Sequence, residues 1–134
     1  MKLELNCVRS VLRTVEALDF SEHSTPEKLH KELPEYSVEQ LEYTCLMLGD
    51  GGFLTLMTCD VMGSHLPGVK AIVSLTYKGH EFLNSIRDEK QWTAVGKGLR
   101  AVRNYSLEAV SMISKGVTEA ALAKFLSENL QTGP

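Results

Sequence analysis

Two short runs of branched and apolar residues, FLTLMTC at 53–59 and VKAIVSLT at 69–76, interrupt a chain whose other apolar residues recur at helical spacing. Their composition and partial alternation predict a pair of strands. The nine residues between them, DVMGSHLPG, are rich in turn formers and too long for a tight hairpin. A projecting loop between two paired strands is the simplest geometry for such a segment.

Helices are expected on both sides. Leu3, Leu5, Val8, Val11, Leu12, Val15 and Leu18 set a first helix over 2–18. Thr25 with Pro26 is a cap-and-first-position signal for a second helix, 26–33, closed before Pro34. Ser37 caps a third, with Gln40 at the capping-box position and Val38, Leu41, Cys45 and Leu48 as its buried stripe. Gly49-Asp50-Gly51-Gly52 ends it. Thr76 caps a fourth pattern running through Phe82, Leu83, Ile86, Trp92, Val95 and Leu99, with a break expected near Gly96 and Gly98. A last helix, 106–130, opens at Asn104 and Ser106 and carries Leu107, Val110, Ile113, Val117, Leu122, Phe125, Leu126 and Leu130. A staple-like arrangement of Val117, Thr118 and Leu122 allows a second break near Gly116, and the tail QTGP is expected to fray.

Helix, helix, helix, strand, strand, helix, helix is the order of a winged helix-turn-helix. The expected class is therefore mainly α (α+β), with a two-stranded β wing and additional C-terminal helices. Residues 1–92 would form the winged-helix domain, and 93–134 a helical extension packing on it or on a second copy. At 134 residues the chain is long enough for a core without staples. Cys7, Cys45 and Cys59 form no CxxC pair, which points away from a disulfide framework or zinc site and towards a reducing compartment. No run approaches the roughly 18 apolar residues a membrane span needs. The cytoplasm is the expected location.

SVEQLEYTCLMLGDGGFL and SLTYKGHEFLNSIRDEKQW carry a resemblance. They are similar to a family of uncharacterised winged-helix proteins, a domain of unknown function borne by phages and prophages. The shared features are the step Gly52-Phe53-Leu54, the segment Thr76, Gly79, His80, Glu81, Phe82 and Leu83, and then Asp88 and Trp92. Thr44 departs from the pattern, which has a histidine after Tyr43, so a role for a polar ring does not carry over. The resemblance implies a fold and a mobile-element setting, and no activity.

Charge decides how a winged helix would be used. Residues 1–76 hold 6 Lys/Arg against 11 Asp/Glu, whereas 77–104 hold 6 against 3. No Lys or Arg occurs between 32 and 69. The outward residues of the third helix, Glu39, Gln40, Glu42, Tyr43 and Met47, include two carboxylates where a major-groove reader presents cations or amides. They suit a solvated face or a protein interface anchored by Tyr43 and Met47. His65 and its apolar neighbours in the loop fit the same use, although an exposed, flexible tip is an equal reading. Lys78, Lys97, Arg100 and Arg103 form the alternative, a basic stretch for DNA phosphates or an acidic partner, with the last three spaced to share a helix face, although such a stretch is more often only a solvated face.

Catalytic chemistry finds no support. His23, His30, His65 and His80 show neither HxxxH nor HExxH spacing, and GDGG lacks the Lys-Ser/Thr of a phosphate loop. No catalytic residue, metal site or cofactor is expected. Two function classes remain. One is a non-enzymatic, phage- or prophage-encoded module that binds a host or phage protein, as an acidic nucleic-acid mimic or anti-defence modulator in its sharper form. The other is a dimeric transcriptional regulator on double-stranded DNA, pairing through its C-terminal helix. The acidic third helix and uncharged wing favour the first.

Overall fold

Helix α1 (Leu5–Glu16) turns an apolar face inward, with Cys7, Val8, Val11, Leu12 and Val15 buried. The computed structural model describes residues 1–130. Helix α1 is shorter than the periodicity predicts, because Glu4 at its N-cap is extended and makes no side-chain cap bond. The caps of the next two helices are those expected. Thr25 Oγ1 accepts from the Lys28 amide ahead of α2 (Pro26–Glu32), and Ser37 Oγ from the Gln40 amide ahead of α3 (Val38–Asp50). Each side chain satisfies an N–H group the helix itself leaves unbonded.

Strands β1 (Leu54–Cys59) and β2 (Gly68–Leu75) pair antiparallel, with register shifts at Thr55/Leu56 and Met57/Thr58. A third short segment joins the far edge of β2. Ser24 and Ile72 exchange two backbone hydrogen bonds of 2.9 Å, tying the α1–α2 connection to the hairpin. The core beneath is built from the α1 face, Leu29 of α2, Leu41, Cys45 and Leu48 of α3, and Ile72 and Leu75 of β2. Thr44 is fully buried among them, its hydroxyl donating to the Gln40 carbonyl and lying 3.4 Å from Cys7 Sγ. The position where the resemblance expects a ring is thus a packed one facing α1. Burial pushes the neighbouring Cys45 thiol up to about 12, so it stays protonated.

The expected fourth helix is two helices, α4 (Tyr77–Ile86) and α5 (Glu89–Val102). The break falls at Arg87-Asp88 and not near Gly96 or Gly98. Asp88 is extended and its carboxylate accepts from the Gln91 amide at 3.0 Å, so it starts a new helix. Helix α6 (Leu107–Leu130) runs through Gly116 without the second break. Thr118 caps nothing there; its Oγ1 accepts from Gln91 Nε2 at 2.9 Å. The expected fraying of 131–134 lies outside the described residues.

Two compact units divide the chain, Met1–Leu83 and Asn84–Pro134. In the second, α5 and α6 form a helical hairpin closed by the capping residues Asn104 and Ser106. Gly98 admits Ile113, which a Cβ would meet at 2.6 Å. Gln91 Nε2 also donates to the carbonyl and hydroxyl of buried Ser114, whose own hydroxyl donates to the Ser85 carbonyl. Gly116, by contrast, has open space where a Cβ would stand. Gly116→Ala should therefore stabilise this unit by about 1 kcal/mol, the helix-propensity difference. Thermal denaturation checks it, and a lower midpoint would mean that α6 is not continuous through 116.

Candidate functional site

Helix α3 shows the solvent a face made by Glu39, Glu42, Tyr43, Leu46 and Asp50, with the hairpin beside it. A hollow of about 260 Å³ lies between Met1, Glu39, Glu42, Tyr43, Leu46 and Leu66. A second, of about 390 Å³, is lined by Leu46, Gly49, Asp50, Leu54, Leu56, Thr58 and Pro67. Leu46 belongs to both, so the two make one groove between α3 and the hairpin. The hollow at Tyr43 is mostly apolar, the one at Gly49 and Asp50 is about equally polar and apolar, and the α3 rim of both carries carboxylates.

Four of the expected residues gather at or beside this face. Glu39 is exposed in the first turn of α3, where the helix dipole favours a negative charge. Tyr43 lies one turn on. Glu42 has a second task, accepting from the Val69 amide at 3.2 Å and so tying α3 to the start of β2. His65 is exposed in the β1–β2 loop next to Leu66. The loop is shaped at its tip: Ser64 N–H donates to the Val61 carbonyl, Gly63 takes φ +79°, and Ser64 Oγ bonds both backbone groups of Leu66. Gln40 and Met47 are half-buried and line neither hollow. Leu46 and Asp50 were not among the expected residues, although Leu46 stands three after Tyr43 and seven after Glu39, the spacing of one helix face.

The basic residues are not one cluster of like kind. Lys78 caps the end of α3: its Nζ donates to the Gly51 carbonyl at 3.2 Å and lies 4.9 Å from the centre of the Phe53 ring. This supplies the positive charge that the last turn of α3 otherwise lacks. Lys97 and Arg100 are exposed three apart on α5, and Lys97 lines a shallow hollow with Glu89, Lys90, Thr93 and Ala94. Arg103 is off the helix, as the C-cap of α5 in a left-handed conformation at φ 54°.

The Thr-x-x-Gly-His-Glu-Phe-Leu segment holds the first unit together where α3, β1 and α4 meet. Thr76 Oγ1 accepts from the Gly79 amide at 3.0 Å and donates to the Gly52 carbonyl. Thr76 N–H donates to the Phe53 carbonyl. A Cβ on Gly79 would stand 2.1 Å from that same carbonyl. Phe82 packs on Phe53, ring centres 5.1 Å apart, Leu83 is fully buried, and His80 Nδ1 lies 3.9 Å from Glu16. These residues do structural work.

The model of a family described as hypothetical protein, DUF2513, matches residues 2–123. The chain belongs to that family. The match runs through the groove and the Thr76–Leu83 segment of this DUF2513 chain alike. No curated protein and no solved structure matches it. Among the described residues, no helix is long and apolar enough to cross a membrane, and no group of three or more His, Cys, Asp or Glu could hold a metal ion.

Proposed function

We propose that this DUF2513 chain is a non-enzymatic winged-helix protein of the cytoplasm, phage- or prophage-borne, that acts by capturing a host or phage protein on the face of α3 and the hairpin. The element order and the isolated Ser24–Ile72 bridge beside β2 support the winged-helix reading. The mobile-element setting rests on the resemblance of the 36–92 segment. One observation carries the function: the face that a winged helix would lay in the major groove carries Glu39, Glu42 and Asp50 beside a mostly apolar hollow at Tyr43, Leu46 and Leu66, in a stretch without Lys or Arg from 32 to 69. Such a face repels phosphates, and desolvated aromatic and aliphatic side chains are what a protein partner uses. The same charge lets the domain stand in for nucleic acid against a basic partner.

Affinity capture from a lysate of the carrying cell tests this. The wild-type chain retains a partner, and Tyr43→Ala and Glu39→Lys each reduce retention about tenfold, the scale of a single interface anchor, with circular dichroism unchanged. Retention of the same partner by both variants would place the interface elsewhere.

The adjacent exposed cations Lys97 and Arg100 on α5 favour a second reading, a dimeric DNA-binding regulator. The exposed stripe Leu122, Phe125 and Leu126 on α6 would supply its dimer contact. Lys78, held on the end of α3, adds little to that patch.

A further inference from the structure

We infer that the hollow beside Tyr43 seats a single arginine side chain of the captured protein, its stem against Tyr43, Leu46 and Leu66 and its guanidinium against Glu39 and Glu42. The inference rests on the protein-binding reading above and names what that partner presents. The hollow is mostly apolar, yet two of the residues lining it, Glu39 and Glu42, are carboxylates three positions apart on one face of α3. Its occupant is therefore apolar along its length and cationic at its tip, which describes the side chains of Lys and Arg. At about 260 Å³ the hollow is smaller than the roughly 300–1,000 Å³ of sites that enclose a whole small molecule, so it takes one side chain. The stretch from 32 to 69 supplies no Lys or Arg of its own to pair with the two carboxylates.

Glu42 is positioned for this before any partner arrives. Its Oε2 accepts from the Val69 amide at 3.2 Å, which orders the carboxylate and leaves acceptor capacity for an incoming donor. Less side-chain freedom is then lost on binding. A purely apolar side chain would fill the hollow but take water from Glu42 without replacing its hydrogen bonds. Between the two cations, three properties favour guanidinium. It is planar and stacks on an aromatic ring such as that of Tyr43, its fork of donors serves carboxylates on two sides, and it is more weakly hydrated than an ammonium.

The test titrates the full chain with blocked tripeptides Ala-X-Ala, acetylated and amidated so that only X can carry charge, and follows the amide resonances. X is arginine, lysine, citrulline or norleucine. The arginine tripeptide is expected to shift the amides of 39–46 and of Leu66 saturably. It should bind at least about fivefold more tightly than the citrulline one, which has nearly the same shape without the charge; that is the size of a partly exposed ion pair. Glu39→Gln with Glu42→Gln should bring arginine binding down to the citrulline level, while the new amide oxygen at 42 still accepts from the Val69 N–H. Glu27→Gln with Glu32→Gln, the same charge change on exposed positions of α2, should leave it within about twofold. Arginine binding no tighter than that of the lysine, citrulline or norleucine tripeptide, or lost equally in both pairs of variants, overturns the inference. If it is overturned while partner capture stays sensitive to Tyr43→Ala, the arginine anchor alone falls. Capture that ignores Tyr43→Ala and Glu39→Lys overturns the parent reading as well.

Discussion

Gly79→Ala should destabilise the protein by about 3 kcal/mol, at the upper end of what overpacking a tight site costs. That lowers the thermal midpoint by roughly 10 °C for a chain of this size. The obstacle is the Phe53 carbonyl, 2.1 Å from where the new Cβ would stand. A backbone oxygen that also accepts from Thr76 N–H cannot swing aside as a side-chain tip would. Relief requires moving the N-terminus of α4 away from the strand, which breaks the Thr76–Gly52 and Gly79–Thr76 bonds that set it. The gain in helix propensity from Gly to Ala, about 1 kcal/mol, is too small to offset this. A midpoint unchanged within a degree or two would mean that α4 does not approach Phe53 as described.

Phe53→Ala should cost about 3–5 kcal/mol, the range for removing a buried phenylalanine. The ring is 8% exposed, packs on Phe82, and lies under the Lys78 ammonium. Its loss leaves a cavity between β1 and α4 and frees the cation that closes α3. Urea titration measures the change, and a loss below about 1 kcal/mol would contradict the packing.

The local signals in the sequence were mostly sufficient for the fold of the first unit. Thr25-Pro26 and Ser37 are caps because a short polar side chain has one job at a helix start, and both do it. Elsewhere a tertiary cause overrode the local one. Glycines at 96 and 98 read as helix breakers, yet α5 runs through both, and at Gly98 the missing Cβ makes room for Ile113. The true break carried its own signal in Asp88 followed three residues later by Gln91, the spacing of a cap. An apolar periodicity continues across it and masks that signal.

The candidate site divides in the same way. The outward face of α3 follows from helical spacing, so Glu39 and Tyr43 were legible. What the sequence did not disclose were bonds across 27 positions, Glu42 to the Val69 amide and Lys78 to the Gly51 carbonyl. Both turn a residue that looks free for a partner into one partly engaged by its own fold. The lack of Lys and Arg between 32 and 69 is visible at once, but the hollows beside α3 depend on how Leu56, Leu66 and Pro67 lie beside Leu46.

Fluorescence anisotropy on pooled duplex DNA at two salt concentrations tests the central claim most directly. If the face of α3 is built for protein, no duplex binds tightly even at low salt, because the groove-facing helix brings carboxylates and no cations to the phosphates. Tight binding that falls steeply with salt, and that Arg100→Ala with Lys97→Ala weakens, would contradict that account and make the chain a DNA-binding regulator.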